Sequence, residues 1–117
     1  MLFICYPGCS TCKKAQKWLD ENHIQYQIRD IKTDNPSYDE LREWIGLSGL
    51  PIRRFFNASG LLYRQLKLRD RLPSMSEEEQ LELLAGDGML VKRPILLGGG
   101  TLLVGFKPSQ WEDTLLR

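Results

Sequence analysis

The sequence predicts one α/β domain of 117 residues built on a four-stranded mixed sheet. Three observations support this: a strand–helix–strand pattern in the first thirty or so residues, a helical middle, and two short apolar strands joined by glycines near the end. The length suits one modest core. No internal repeat, low-complexity tract or linker is visible, so we expect residues 1–117 to form a single domain.

The first quarter of the chain predicts a βαβ unit. "LFICY" (residues 2–6) is a short apolar run stopped by a Pro-Gly pair, which is typical of a buried strand. A helical pattern follows over residues 11–23, with Ser10 as the expected N-cap. "QYQIRD" (residues 25–30) alternates as a second strand does. Such a unit is right-handed and parallel by strong default.

The middle of the chain predicts helices. Ser37 with Glu40 and Ser76 with Glu79 have the spacing of capping boxes, each ahead of an apolar periodic stretch. The segment between them, residues 61–73, mixes apolar and basic residues without a clear period.

The last quarter predicts a hairpin and a short helix. In "RPILLGGGTLLVGF" (residues 93–106), three glycines separate two apolar runs, which is a hairpin signal. Ser109 with Glu112 predicts the start of the final helix. The element order is therefore thioredoxin-like (glutaredoxin-like), with a helical insertion between the βαβ and ββα halves. It places "PGCSTC" (residues 7–12) in the loop where this fold keeps its redox centre.

Composition and charge exclude some function classes. Apolar residues make up 42% and charged residues 26% of the chain, as in ordinary soluble proteins. The net charge is +1, so we expect no direct binding to nucleic acid and none to membranes. No apolar run is long enough to span a bilayer, and the first residues lack the basic segment of a signal peptide. We expect a cytoplasmic protein.

All three cysteines, Cys5, Cys9 and Cys12, lie within eight residues. Disulfide frameworks spread their cysteines and are rare in the cytosol, so this clustering favours redox chemistry or metal binding. A thiolate at a helix N-terminus is stabilised by unpaired N–H groups and the helix dipole. We therefore expect Cys9 to be the activated thiol and Cys12, one turn further on, to be its disulfide partner. Lys13 adds positive charge nearby.

Other interpretations of the cysteines stay open. The three thiols with His23 could form a zinc set, although Cys5 is expected mid-strand and His23 at the far end of the helix. The C-x3-C-x2-C spacing also occurs in radical enzymes with an iron–sulfur cluster, but those use much larger barrels. Purely structural cysteines are the third alternative, and this suits Cys5. The redox pair is favoured, and we expect no metal or other cofactor.

Arg93-Pro94 opens the third predicted strand. In a thioredoxin-like fold a cis-proline occupies this place beside the redox loop, so we expect a cis Arg93–Pro94 bond and Arg93 directed toward Cys9. The alternative is a surface arginine before an edge strand. Arg53, in the helical insertion, and Lys107, ahead of the last helix, are each typical of solvated positions when taken alone.

Together, several stretches resemble a known family: "YPGCSTCKKAQKWL", "GLPIRRFFNASG", "LYRQL", "MSEEEQLELLAGDGMLVKRPILL" and "VGFKPSQW". The chain resembles the ArsC/Spx family of arsenate-reductase-like, thioredoxin-fold bacterial proteins over essentially its whole length. In the reductases one cysteine attacks arsenate while three arginines hold the oxyanion. The resemblance implies Cys9 as that cysteine, Arg53 and Arg93 as two of the arginines, and Lys107 at the third position. It also implies a thiol donor, such as glutathione with glutaredoxin or thioredoxin.

The chain departs from the reductase pattern at several places. Lysine at 107 cannot reproduce the forked grip of arginine on an oxyanion. The reductases have histidine where this chain has Cys5 and arginine where it has Lys13. Cys12 is a second thiol that the Spx branch shares, and Spx proteins sense oxidation and bind the RNA polymerase α subunit. We favour an oxidoreductase of the arsenate reductase type, with an Spx-like redox-sensing transcription regulator as the alternative.

Overall fold

A computed structural model describes residues 1–117 and contains one sheet of four short strands. These are β1 (Leu2–Cys5), β2 (Gln27–Asp30), β3 (Ile95–Gly98) and β4 (Thr101–Val104). Their order is β2-β1-β3-β4, with β1 and β2 parallel and the other two pairings antiparallel. The predicted thioredoxin-like fold class is confirmed.

Six α-helices accompany the sheet. They are α1 (Ser10–Glu21), α2 (Tyr38–Ser48), α3 (Leu61–Gln65), α4 (Leu68–Arg71), α5 (Glu77–Gly86) and α6 (Pro108–Leu115). Short 3-10 helices lie at Ile52–Phe55, Leu72–Ser74 and Gly88–Leu90. Helices α2 to α5 form the insertion predicted between the two halves. None of the helices is both long enough and apolar enough to cross a membrane.

The chain divides into two compact units, and the first comprises Met1–Asp30 and Arg93–Arg117. Its core joins one face of the sheet to α1 and α6, because alternate strand residues point to the same side. The buried members of this core are Phe3, Cys5, Cys12, Ala15, Leu19, Leu96, Leu103 and Trp111. Each large apolar side chain buried there stabilises the fold by roughly 1.5–3 kcal/mol. The indole N–H of Trp111 donates to the Gly105 carbonyl oxygen at 3.1 Å, so its one polar atom is satisfied.

The second unit comprises Ile31–Lys92, and its helices α2 and α5 pack together. Both begin with the predicted capping boxes. The Ser37 hydroxyl oxygen accepts from the Glu40 N–H at 3.1 Å, and the Ser76 hydroxyl oxygen accepts from the Glu79 N–H at 3.1 Å. In each case the glutamate carboxylate accepts the N–H of the capping serine in return. These two helix starts are predicted correctly because the signal is local.

The predicted hairpin is confirmed between β3 and β4. Gly98 pairs with Thr101, which leaves Gly99 and Gly100 as a two-residue loop. Their φ angles are 57° and 80°, and a turn with both central residues in the left-handed region is the one that matches the twist of a hairpin. Glycine adopts this conformation without the clash that a Cβ would bring.

Two helix starts differ from the predictions. Cys9, not Ser10, occupies the N-cap position of α1, because the Cys9 carbonyl oxygen accepts the first helical bond, from the Lys13 N–H at 3.1 Å. Ser109 does not cap α6, which begins at Pro108 with Lys107 as N-cap. Proline has a fixed φ that suits the first helical position, and this preference displaces the start by two residues.

Candidate active site

The loop after β1 places Cys9 at the N-terminus of α1. The Cys9 N–H donates to the Tyr6 carbonyl oxygen at 2.9 Å, which closes a tight turn around Pro7 and Gly8. The backbone of Cys9 is extended, with φ −86° and ψ 121°, as an N-cap residue requires. Its side chain therefore lies beside the first N–H groups of the helix, which have no partner within the helix.

The half-buried Cys9 thiol has several groups that stabilise its charged form. Burial, the largest single cause, would raise its pKa. The backbone N–H and the thiol of Cys12 and the guanidinium of Arg93 stabilise the thiolate and so oppose this, as does the charge of Arg93. Their sum holds the pKa of Cys9 below its ordinary value. A larger fraction of Cys9 is therefore the nucleophilic thiolate at neutral pH.

Cys12 has the opposite character. It is buried, and its sulfur accepts the Tyr6 N–H at 3.4 Å. Burial, with further contributions from the hydrogen bond and the charge of Cys9, raises the pKa of Cys12 to about 12 against the opposing bond from Tyr6. At neutral pH the Cys12 thiol is therefore protonated, and its S–H is available to donate to the Cys9 sulfur.

Arg93 approaches the same loop from the start of the third strand. The Arg93–Pro94 bond is cis, as predicted. The guanidinium carbon of Arg93 lies 5.4 Å from the centroid of the Tyr6 ring, within cation–π range. A Cβ at Gly8 would lie 2.9 Å from a carbon of that ring, so the ring needs glycine there. Tyr6 thus supports both Arg93 and Cys12. The sequence alone does not predict this role of Tyr6, and the one signal for it is an aromatic residue directly before the Pro-Gly pair.

Cys5, at the end of β1, is the third thiol of this region. It is buried, and it pairs in the sheet with Asp30. Its thiol shares a hydrogen bond with Cys12. Burial, then the charges of Asp30 and Cys9, raise the pKa of Cys5 despite that bond. Cys5 is therefore protonated at neutral pH.

The other predicted site residues are more exposed. Lys13 lies in the first turn of α1, and Lys107 is the N-cap of α6. Arg53 belongs to the second unit, where it lines a pocket of about 340 Å³ together with Tyr63 and Arg69. Among the site residues predicted from the sequence, Cys9, Cys12 and Arg93 are the ones that the interactions described above bring together.

The zinc interpretation of the cysteines has no support in the geometry. No three His, Cys, Asp or Glu side chains lie close enough together to hold a metal ion. His23 instead follows the C-cap of α1 with φ 56°, and the Ile24 N–H beyond it donates to the Leu19 carbonyl oxygen at 3.0 Å. This bond is part of a common helix ending, so His23 has a structural position.

Comparison with known proteins identifies the family. The model of the ArsC family matches residues 5–114. The chain belongs to the ArsC family. The protein YusI of Bacillus subtilis is 48% identical over 113 residues, which cover 97% of this chain and 96% of YusI. The regulatory protein MgsR of the same organism is 28% identical over 110 residues (94% and 86%). The global transcriptional regulator Spx 1 of Bacillus cereus is 25% identical over 111 residues (95% and 83%).

Solved structures agree with this membership of the ArsC family. An ArsC family related protein from Bacteroides fragilis has a TM-score of 0.93 and 57% identity, covering 96% of this chain and 94% of that one. A possible arsenate reductase from Streptococcus mutans UA159 has a TM-score of 0.84 and 43% identity, covering 91% and 90%. The likenesses extend over nearly the whole chain, and both enzyme-like and regulator relatives are among them.

Proposed function

We propose that this ArsC family protein is a thiol-dependent oxidoreductase of the arsenate reductase type, with Cys9 as nucleophile and Cys12 as resolving thiol. One arrangement carries the proposal: Cys9 is the N-cap of α1, and Cys12 and Arg93 beside it stabilise its thiolate and lower its pKa. A nucleophile, a second thiol and a fixed cation are the three groups that thiol-based reduction of an oxyanion needs. Family membership and the arsenate-reductase-like neighbours support a thiol oxidoreductase-like function.

The proposed reaction has two steps. The Cys9 thiolate forms a bond to arsenic(V), and one arsenate oxygen leaves as water after taking up protons. The Cys12 sulfur, having lost its proton, then attacks the Cys9 sulfur. The sulfur–arsenic bond breaks and its electron pair stays on arsenic, which leaves as arsenite, while Cys9 and Cys12 form a disulfide. Two electrons pass from the thiol pair to arsenic, and an external thiol pair restores the enzyme.

The high pKa of Cys12 fits this order of events. Two of the causes that raise it are the hydrogen bond to Cys9 and the negative charge of Cys9. Once the Cys9 sulfur is bonded to arsenic it no longer carries that charge, so Cys12 loses its proton more readily. In the resting state the same proton stabilises the Cys9 thiolate.

Oxyanion binding is proposed for three basic residues. Arg93 hydrogen-bonds to Cys9 and is the first of them. Arg53 and Lys107 are proposed from the family resemblance, with Lys13 and the cis Pro94 supporting the redox loop. A guanidinium can bind two oxygens at once, whereas an ammonium is a point charge, so arsenate or a related oxyanion is expected to bind weakly.

The proposed electron donor is glutathione with glutaredoxin, or thioredoxin. Both couples reduce catalytic disulfides, which are more oxidising than structural ones, and both are kept reduced in the cytosol. We therefore place the reaction in the cytoplasm.

A second candidate function is a redox-sensing regulator that binds the RNA polymerase α subunit. Its support is the similarity to MgsR and Spx 1, which are regulators, together with the Cys-x-x-Cys pair that Spx proteins use. In this case the disulfide would be a signal and would not be turned over with arsenate.

One paired experiment tests both candidates. Arsenate-dependent thiol oxidation is measured with glutathione and glutaredoxin, and separately with thioredoxin, for the wild type and for Cys9→Ser. In parallel, the protein is tested for binding to the C-terminal domain of the polymerase α subunit. Turnover that disappears in Cys9→Ser supports the enzyme. No turnover with any donor, combined with α-subunit binding, overturns the enzyme proposal in favour of the regulator.

A further inference from the structure

The structure contains a third thiol that the proposed reaction does not use. Cys5 lies on the face of the sheet that α1 covers, and it belongs to the same buried core as Cys12. The Cys12 sulfur accepts the N–H of Tyr6, the residue directly after Cys5, at 3.4 Å, so Cys12 lies beside the end of β1. Cys9 also packs against this core. Cys12 therefore lies near both Cys5 and Cys9, and no other cysteine occurs in the sequence.

We propose that Cys5 is the third member of a thiol relay: it attacks the Cys9–Cys12 disulfide at the Cys12 sulfur and forms a buried Cys5–Cys12 disulfide. This inference rests on the proposed function, because that function supplies the first disulfide. In the exchange the Cys5 thiol gives its proton to solvent and its sulfur bonds to Cys12. The Cys9–Cys12 bond breaks, and its electron pair leaves with Cys9 as a thiolate. One disulfide is consumed and one is formed, so no further oxidant or reductant is needed.

The contacts determine which sulfur is attacked and which one leaves. Cys5 shares its buried core with Cys12, whose sulfur lies beside the end of β1, so the Cys12 sulfur is the one within its reach. Cys9 is the better leaving group, because the backbone N–H of Cys12 and the guanidinium of Arg93 stabilise its thiolate. A thiol of lower pKa leaves faster, and its release as a thiolate also favours the products at neutral pH.

The surroundings of Cys5 make the exchange the slow step. Burial and the nearby Asp30 carboxylate oppose the loss of the Cys5 proton. The charge of Cys9 opposes it too and the hydrogen bond from the Cys12 thiol favours it, and both are absent while Cys9 and Cys12 are joined in a disulfide. Of the two, the charge has the larger effect, so the Cys5 proton is lost more readily in the state that the first step produces.

The relay would have a chemical consequence for the site. After the exchange, the oxidised pair consists of two buried cysteines, since the exposed fraction of the residue is 5% for Cys5 and 2% for Cys12. The half-buried Cys9 returns to its reactive thiolate form. The protein would then hold one disulfide in its core and still present a nucleophile, and reversal of the exchange returns the disulfide to Cys9–Cys12, where an external thiol can reduce it.

Differential alkylation tests the relay directly. The reduced protein is treated with one equivalent of diamide, a two-electron thiol oxidant, and sampled over time. Thiols that remain free are blocked with N-ethylmaleimide under denaturing conditions, and disulfides are then reduced and labelled with iodoacetamide. All three cysteines lie in one tryptic peptide, residues 1–13, so fragmentation of that peptide identifies the blocked cysteine in each molecule.

In the wild type we expect N-ethylmaleimide first on Cys5 and later mainly on Cys9, in more than about half of the oxidised molecules. In Cys5→Ala, labelling of Cys9 in the oxidised protein should fall to about one-tenth of the wild-type value or less. In Cys9→Ser the Cys5–Cys12 disulfide should form at least about tenfold more slowly, because the reactive thiolate is missing. Circular dichroism of each variant checks that it is folded.

The outcomes separate the relay from the proposed function. If oxidised wild type keeps N-ethylmaleimide on Cys5 at all times, the relay is wrong while the Cys9–Cys12 pair stands. If Cys9→Ser forms the Cys5–Cys12 disulfide as fast as wild type, that bond forms directly and the relay is also wrong. If folded Cys5→Ala forms no Cys9–Cys12 disulfide, the resolving role of Cys12 in the proposed function fails, and the relay fails with it.

Discussion

Arg93 is expected to set the reactivity of Cys9, and Arg93→Ala removes two of the groups that lower its pKa. These are the hydrogen bond from the guanidinium and the guanidinium charge. The hydrogen bonds from Cys12 stay, so the change isolates the contribution of the arginine. The pKa of Cys9 should rise in the variant.

The size of the rise in the pKa of Cys9 depends on the strength of the lost Arg93 interaction and on how far Cys9 is buried. A hydrogen bond to a charged group contributes about 1.5–3 kcal/mol, and one pKa unit corresponds to about 1.4 kcal/mol. Cys9 is half-buried, so solvent screens part of the interaction and the lower end of that range applies. We expect the pKa of Cys9 to rise by roughly 1 unit.

The pH dependence of alkylation measures this rise better than one rate does. At one pH, a higher pKa lowers the fraction of Cys9 that is thiolate, but each thiolate is then intrinsically more nucleophilic. On a logarithmic scale this second effect cancels about a third to a half of the first, so a single labelling rate understates the change in pKa. Iodoacetamide labelling of Cys9 is therefore followed from pH 5 to 10 in wild type and variant, and the two midpoints are compared. Arg93→Lys, which keeps the charge without the fork, should give an intermediate midpoint.

Lys17→Ala is the matched control for charge. Lys17 is an exposed residue of α1 whose ammonium lies 3.8 Å from the Glu21 carboxylate, and its loss should leave the midpoint unchanged. A midpoint for Arg93→Ala within about 0.2 units of wild type would refute the assigned role of Arg93, as would an equal shift in Lys17→Ala.

Three further predictions concern stability, measured by urea unfolding. Gly88→Ala should lower the free energy of unfolding by about 2–3 kcal/mol, because a Cβ there overlaps the Ile31 carbonyl oxygen. Gly46→Ala, in an open helical position, should raise it by about 0.5–1 kcal/mol; equal effects of the two changes would contradict this. Ser76→Ala should lower it by about 1 kcal/mol through loss of the cap, and no loss would mean that the capping box is not formed in solution. The pKa of Cys12 is about 12 in the folded protein, above the value of 9.0 expected for an unperturbed thiol. Its contribution to the free energy of unfolding is therefore fully present below pH 9 and is lost as the pH rises toward 12. Wild type should therefore lose about 1–2 kcal/mol more than Cys12→Ala between about pH 8 and 10.5, and parallel pH profiles would show that Cys12 titrates normally.

The parts of the fold that sequence predicts well have local causes. The capping boxes at Ser37 and Ser76 need only residues three positions apart, and the hairpin needs only its glycines. Ser109 with Glu112 has the same spacing, yet α6 begins earlier, at Pro108, because proline is favoured at the first helical position. The sequence offers no measure of which local preference is stronger.

The stretch over residues 61–73 was unpredictable for a different reason. It forms α3 and α4, which are only five and four residues long, too short to show a helical period. Lys67 lies between the two helices with φ 54°, and a lysine in the sequence does not indicate such a left-handed conformation.

Only part of the site could be predicted from the sequence. The Cys-x-x-Cys pair at a helix N-terminus identifies the reactive thiol by local electrostatics. The link between Arg93 and Cys9 depends on a pairing between distant strands, and it was predicted from the cis-proline position of the thioredoxin-like fold. The Tyr6 contacts and the hydrogen bond between Cys5 and Cys12 involve side-chain geometry that no spacing rule encodes.

The antiparallel pairing of β1 with β3 joins Leu2 to Leu97, so the first unit is assembled from both ends of the sequence. A ribosome makes Cys9 long before it makes Arg93, while Ile31–Lys92 is continuous and is complete earlier than the sheet. During synthesis Cys9 therefore lacks its guanidinium neighbour. Its full reactivity is reached only when β3 has docked beside β1, so this cysteine is less reactive toward oxidants in the nascent chain than in the folded protein.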